Sequence, residues 1–239
     1  MDNPFLSIII PARNEERSLP HTLQQVVGFL DRQTFQAEII VVVNASADKT
    51  FEIAQEFSVR YPLIKVISER RPGKGRAVRR GMLAARGAYR FFADADLSMP
   101  INEVSRFLSS EVDKTIVIAS REAPGAIRYG EPFHRHIIGR VFNKMIRLLV
   151  LPDLQDTQCG FKMFRADIAE DLFTRQTLTG WSFDVELLYI ARLRGYSIVE
   201  VPIPWYYNAE KKIKIFRDSW GMFFDLFKIR YNERQGKYS

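Results

Sequence analysis

The chain has 239 residues, 46% of them apolar and 26% charged, which is enough to bury one sizeable core and excludes a disordered chain. Thirty-five Lys and Arg against 28 Asp and Glu leave a net charge of +7, a tilt toward an anionic partner that composition does not resolve among nucleic acid, phosphorylated metabolite and anionic lipid. The lone cysteine, Cys159, excludes an internal disulfide and a thiolate zinc site, three histidines argue against a His-rich metal site, and a reducing cytoplasm is the expected compartment.

Short apolar runs and helical patterns alternate through the first hundred residues. Leu6 to Ile10 reads as a strand ended by Pro11, and Ser18 to Asp31 as a helix carrying Leu19, Leu23, Val26, Val27 and Leu30. Glu38 to Val43 is a β-branched strand, Ala47 to Tyr61 a helix, and Leu63 to Ile67 a strand. Gly75 to Arg86 then reads as a helix and Tyr89 to Ala93 as a strand. This βαβαβαβ order predicts an α/β fold with a mostly parallel, Rossmann-like sheet covered on both faces, whose ligands sit at the carboxyl ends of the strands. Beyond residue 100 the spacing predicts a strand at Ile116 to Ala119, helices at His136 to Leu151 and Phe183 to Leu193, and a strand at Ile198 to Val201 stopped by Pro202 and Pro204. One domain, residues 1–239, is expected, without repeat or flexible linker.

Asp94-Ala95-Asp96 follows an apolar strand end. Two hard oxygen ligands there suit Mg²⁺ or Mn²⁺, which complete their sphere with substrate oxygens and water. Between Arg60 and Arg90 lie ten basic residues and a single acid, Glu69. Within that stretch Gly73-Lys74-Gly75 opens a helix, so its backbone amides and lysine read as a phosphate cradle, although not the eight-residue nucleotide-hydrolysing loop. Arg79, Arg80, Arg86 and Arg90 read as a solvated helix face.

Ser7-Ile8-Ile9-Ile10-Pro11-Ala12-Arg13-Asn14-Glu15-Glu16, Gly73-Lys74-Gly75 and Asp94-Ala95-Asp96 resemble, in order and spacing, the donor half of the family 2 glycosyltransferases of GT-A fold. Asp156 to Lys162 and Trp181 to Tyr189 resemble the matching segments of dolichyl-phosphate β-glucosyltransferases and, less closely, dolichyl-phosphate mannose synthases. The resemblance implies a nucleotide-sugar half (1–120), an acceptor half (121–239), a UDP-glucose donor and a polyprenyl or dolichyl phosphate acceptor. It places Pro11, Arg13 and Glu15 at the base and ribose, Lys74 near the nucleotide, and Asp94 and Asp96 on the metal. Arg121 and Arg135 match arginines that meet the acceptor phosphate, a role bidentate guanidinium groups suit. Lys212, flanked by Lys211 and Lys214, matches a loop lysine that closes over the donor. The chain departs from the family after the second strand, where Val43-Asn44 replaces two aspartates. Val43 cannot accept a hydrogen bond from a uracil ring, whereas the Asn44 side-chain oxygen can.

A phosphate monoester is already anionic near neutral pH, so transfer to it needs no general base, and in-line displacement inverts the anomeric centre. Asp184 is expected to orient sugar hydroxyls. Glu186, two residues on, lies on another helix face. Two basic, apolar segments, His134 to Leu151 and Trp220 to Tyr231, read as amphipathic helices on a membrane surface or as a homo-oligomer face. With no run of about 18 apolar residues, the expectation is a peripheral protein at the cytoplasmic face of a membrane. The competing readings are a transferase with a saccharide acceptor and Asp184 as base, and a nonenzymatic basic module for RNA or membrane surface. Without a base-stacking platform or a helix-turn-helix pattern, no nucleic-acid partner is expected.

Overall fold

The computed structural model describes residues 3–108, 116–208 and 215–239. The β-branched runs at the start of the chain form β1 (Leu6–Ala12), β2 (Ala37–Asn44) and β3 (Ile64–Glu69), joined by α1 (Leu19–Leu30) and α2 (Thr50–Arg60). Helix α3 (Lys74–Ala84) leads to β4 (Tyr89–Ala93). These four strands pair in parallel in the order β3-β2-β1-β4, and Ile9 aligns with both Ile40 and Phe92, so the carboxyl ends of β1, β2 and β4 open on one side. Strand β1 runs two residues past its expected end. Pro11 is tolerated because it lies beyond the last β1–β4 pair, Ile9–Phe92, where that edge of the strand opens. Helix α2 starts three residues later than predicted, after Asp48 Oδ1 accepts the Thr50 amide at 3.1 Å.

The second half adds a short α4 (Val104–Phe107), β5 (Ile116–Ser120), β6 (Ile127–Tyr129) and α5 (Phe133–Leu149). It continues with β7 (Phe161–Arg165), α6 (Ala166–Arg175) and α7 (Phe183–Leu193). Strands β8 (Ile198–Pro202) and β9 (Pro204–Tyr206) and helix α8 (Ile215–Arg234) complete it. The sheet has seven strands in the order β3-β2-β1-β4-β7-β5-β8, with β7 antiparallel to both neighbours, while β6 and β9 form a separate parallel pair. Strand β7 escapes the sequence pattern because a lysine, Lys162, interrupts its apolar run.

Both faces of the sheet are buried. Ile9, Ile40, Val42 and Phe92 face α3, α6 and α7, whereas Ile8, Ile10, Val41 and Phe91 face α1 and α2. The basic stretch is divided: Arg80 and Arg86 are exposed, whereas Arg79 is half-buried and Arg90 buried. Arg79 donates to Phe173 O at 2.7 Å, Arg80 pairs with Glu69 at 3.3 Å, and the buried Arg90 donates to Met82 O at 2.6 Å. The Arg86 amide donates to the buried Glu38 at 2.7 Å, and Lys65 pairs with the same carboxylate at 2.7 Å.

The two basic, apolar segments are divided between core and surface. In α5, Phe142 and Ile146 point inward while Phe133, Ile137, Ile138, Val141 and Leu148 are exposed. In α8, Leu226 and Ile229 point inward while Trp220, Phe224, Phe227 and Tyr231 are exposed, and α5 and α8 touch. No helix among the described residues is long and apolar enough to cross a membrane.

Candidate functional site

The open carboxyl ends of β1, β2 and β4 bring the N-terminal motifs together. Beyond β1, the Asn14 amide donates to Ser46 Oγ at 3.0 Å, Asn14 Oδ1 accepts the Ala47 amide at 2.8 Å, and the Glu15 amide donates to Thr50 Oγ1 at 2.8 Å. Pro11 and Glu15 are half-buried in this loop and Arg13 is exposed. At the end of β2, Asn44 is buried. Its side-chain nitrogen donates to Arg71 O at 2.8 Å and its oxygen accepts the Gly73 amide at 2.9 Å. Both ends of its amide hold the 69–73 turn.

That turn delivers Lys74. Gly73 has φ +143°, and a side chain there would bring Cβ to 2.4 Å from Thr179 O, so the position is restricted to glycine. At the start of α3, Gly75 N donates to Gly180 O and Arg76 N to Thr179 O, each at 3.3 Å. Carbonyls from the segment before α7 thus hold the first turn of α3. The side chain of Lys74 is what the loop presents, and its ammonium meets Asp94 Oδ1 at 2.6 Å and faces the Trp181 ring at 5.4 Å.

Asp94 stands at the end of β4, where its amide donates to Gly160 O at 3.2 Å. A Cβ at Gly160 would come within 2.1 Å of Asp94 Oδ2, so this glycine makes room for the carboxylate. The chain then turns through Leu97 at φ +41°, and Asp96 Oδ1 accepts the Ser98 amide at 3.2 Å and hydroxyl at 3.1 Å. From α7, Asp184 reaches the same region, buried, with Lys162 Nζ 2.9 Å from its Oδ1. Burial opposes the charge on Lys74, but Asp94, Asp184 and Asp96 outweigh it and hold its pKa above the ordinary lysine value. Burial raises the pKa of Asp184, partly offset by Lys162 and Lys74. Glu186 is fully buried and turned elsewhere, accepting the Thr177 amide at 3.0 Å and the Leu178 amide at 2.7 Å.

Arg121 follows directly on β5. Its Nε and Nη2 bind Asp156 at 2.7 and 2.9 Å, and its plane faces the Trp205 ring at 5.5 Å. This fork compensates a buried carboxylate. Arg135 lies in α5 with its side chain outside the described residues, and Lys211, Lys212 and Lys214 fall outside them altogether. The expectations had given no role to Lys162, Trp181 or Trp205. Lys162 and Trp181 lie inside segments that carried the family resemblance, which was the available signal.

Burial works to raise the Asp156 carboxyl, but Arg121 overrides it and holds the pKa at about 2. The native carboxyl therefore binds its proton less tightly than the unfolded one, so Asp156 stabilises the fold above about pH 4 by roughly 2–3 kcal/mol, and that contribution fades as pH falls toward about 2. Asp156→Asn is expected to cost at least this much at pH 7 in denaturant unfolding, with the gap to wild type narrowing below about pH 4. A gap independent of pH would refute the assignment.

Comparison with known proteins agrees with this layout. A dolichyl-phosphate beta-glucosyltransferase of Dictyostelium discoideum is 32% identical over 97% of this chain and 75% of its own length. One of Drosophila melanogaster is 36% identical over 95% of this chain and 76% of its own. The chain thus spans about three quarters of these relatives. Among solved structures, glucosyl-3-phosphoglycerate synthase from Mycobacterium tuberculosis, determined with Mn²⁺, UDP-glucose and phosphoglyceric acid, superposes with a TM-score of 0.69. That match covers 95% of this chain and 79% of the other at 19% identity, a likeness of fold. The profile described as Glycosyl transferase family 2 matches residues 7–173, from β1 through the carboxylate pair into α6, and with relatives this similar over nearly its whole length the chain belongs to that family.

Proposed function

We propose that this protein transfers glucose from UDP-glucose to a dolichyl or related polyprenyl phosphate at the cytoplasmic face of a membrane, with residues 1–120 binding the donor and 121–239 the acceptor. The observation that carries the reading is the meeting of Lys74 with Asp94 at 2.6 Å beside Asp96 and Asp184, in a chain 32–36% identical to proteins named dolichyl-phosphate beta-glucosyltransferase. Asp94 and Asp96 are the carboxylates that would hold a divalent cation, Mg²⁺ or Mn²⁺. Their hard oxygens, with the Asp94 carboxylate seated against Gly160, fit such an ion. Among the described residues no cluster of three or more His, Cys, Asp or Glu side chains is poised for a metal, so the remaining ligands would come from substrate and water. When bound, the cation neutralises charge on the departing diphosphate.

The rest falls to the chain's own side chains. Lys74 sets an ammonium beside the donor phosphates, where it favours the charge that builds as the glycosidic bond breaks. Pro11, Arg13 and Glu15 line the nucleoside side of the cleft. Asp184, held by Lys162, accepts hydrogen bonds from sugar hydroxyls and fixes the anomeric carbon for attack. The acceptor phosphate, with its second pKa near about 6, needs no base and attacks in line, inverting the centre. Arg135 and Lys212 are proposed to contact acceptor phosphate and donor, respectively. The reading is tested by incubating the protein with labelled UDP-glucose, Mn²⁺ and either dolichyl phosphate or a free saccharide. Label extracted only with the lipid supports it, and label on the saccharide alone overturns it.

The exposed apolar residues of α5 and α8, with basic neighbours, are proposed to rest on anionic lipid. Trp220→Ser combined with Phe224→Ser is expected to weaken binding to phosphatidylserine vesicles about tenfold or more, since each aromatic contributes about 1.5–3 kcal/mol when buried. Unchanged co-sedimentation, or dimerisation through the same face in light scattering, would overturn this placement.

A further inference from the structure

Residues 176–181 lie between the Lys74 loop and a buried carboxylate that the proposed chemistry does not use. Toward the site, they accept the amides of Gly75 and Arg76, and Gln176 Nε2 donates to Gly75 O at 3.0 Å and to Leu178 O at 2.6 Å. Gly73 packs directly against Thr179 O, and the Trp181 ring faces the Lys74 ammonium. On the other side, Glu186 takes the amides of Thr177 and Leu178, the Thr177 hydroxyl at 2.5 Å and the Tyr238 hydroxyl at 2.8 Å. Tyr238 is 4% exposed, and Asn232 Nδ2 donates to Thr177 Oγ1 at 3.0 Å. Arg175 Nε, bound to Ser239 O at 3.1 Å, fastens the turn that carries the tyrosine.

We propose that Glu186, seated by Tyr238, is a positioning residue for Lys74. It acts by fixing the 176–181 segment whose carbonyls cap the start of α3. The inference rests on the reading that Lys74 meets the donor diphosphate. An apolar residue would fill the Glu186 site with less desolvation. What the carboxylate adds is a rigid tie between two backbone amides beneath the Lys74 loop and a hydroxyl from the turn that follows α8. A displacement of about 1 Å passed along this chain is enough to cost about 10²-fold in a reaction that depends on alignment.

The test is calorimetric titration with UDP and Mn²⁺, together with transfer kinetics. Glu186→Ala is expected to weaken UDP binding about 30-fold and to raise the donor KM with little change in acceptor KM. Glu186→Gln should recover most of that loss, because its carbonyl can keep both backbone amides while its NH₂ donates to the Tyr238 and Thr177 hydroxyls. In a Lys74→Met background, Glu186→Ala should cost less than about twofold, since coupled residues are non-additive. Should Glu186→Ala not fold, Tyr238→Phe, which keeps the ring in place, carries the same cycle with an expected loss of about three- to tenfold. Full-size losses in the Lys74→Met background, or equal rises in donor and acceptor KM, would overturn the inference while leaving the proposed function standing. A wild-type protein that binds no UDP would overturn both.

Discussion

Asp96→Ala is expected to cut glucosyl transfer by about 10³-fold or more while leaving the fold intact, because several kcal/mol of charge stabilisation on the leaving diphosphate depends on the carboxylate pair. The structural cost is small. Asp96 is half-buried, and its bonds in the structure include those to the Ser98 amide and hydroxyl, so losing them costs about 1 kcal/mol and shifts the melting midpoint by about 2–4 °C. Asp94→Ala should be as inactive but less stable, since it strips the partner from a Lys74 side chain that is only 18% exposed. Electron paramagnetic resonance of added Mn²⁺ separates loss of the ion from loss of alignment. Both variants should bind it more weakly, whereas Lys74→Met should retain it. Transfer by Asp96→Ala within threefold of wild type, with Mn²⁺ binding unchanged, would remove the carboxylate pair from the mechanism.

How much of this could be read from the chain divides along physical lines. Strands β1 to β4 and their helices follow from local periodicity, because β1, β2 and β4 are buried on both faces and each helix on one, so the hydrophobic pattern records the packing directly. Strand β7 does not advertise itself in this way. Its Lys162 is buried by a charge pair with a residue 22 positions away, and its antiparallel insertion between β4 and β5 is set by long-range pairing. The site divides similarly. Lys74, Asp94 and Asp96 sit at ends of regular elements, where the topology of an open α/β sheet dictates their approach. Asn44 and Arg121 were read for what their side chains could offer a ligand. Which of those donors and acceptors the protein itself consumes is decided by Gly73, Arg71 and Asp156, and no local spacing encodes that. The same holds for the amides at the start of α3, satisfied by carbonyls about a hundred residues downstream.

The buried pair of Lys162 and Asp184 sets the second large effect. Lys162 is fully buried, with its ammonium 2.9 Å from Asp184, 2.5 Å from Cys159 O and 5.4 Å from the Phe92 ring. Lys162→Met would fill the space but leave a carboxylate only 3% exposed without its nearest cation, at a cost of about 3–5 kcal/mol near neutral pH. Burial already raises the Asp184 carboxyl pKa, and losing Lys162 raises it further. A carboxyl that holds its proton more tightly when folded than when unfolded destabilises the fold above its folded pKa. The penalty is relieved as pH falls through that value toward the unfolded one. Denaturant unfolding of Lys162→Met should therefore show a deficit that is largest at high pH and shrinks as pH falls. Adding Asp184→Leu should restore stability to near the wild-type level, since replacing both members of a buried ion pair with apolar groups is often neutral or better. Transfer should not return with it, because the proposed hydroxyl acceptor is gone. A double variant that is both stable and active would show that the pair only holds β7 to α7, and a deficit of constant size between pH 5 and 9 would show that Asp184 is not the group left uncompensated.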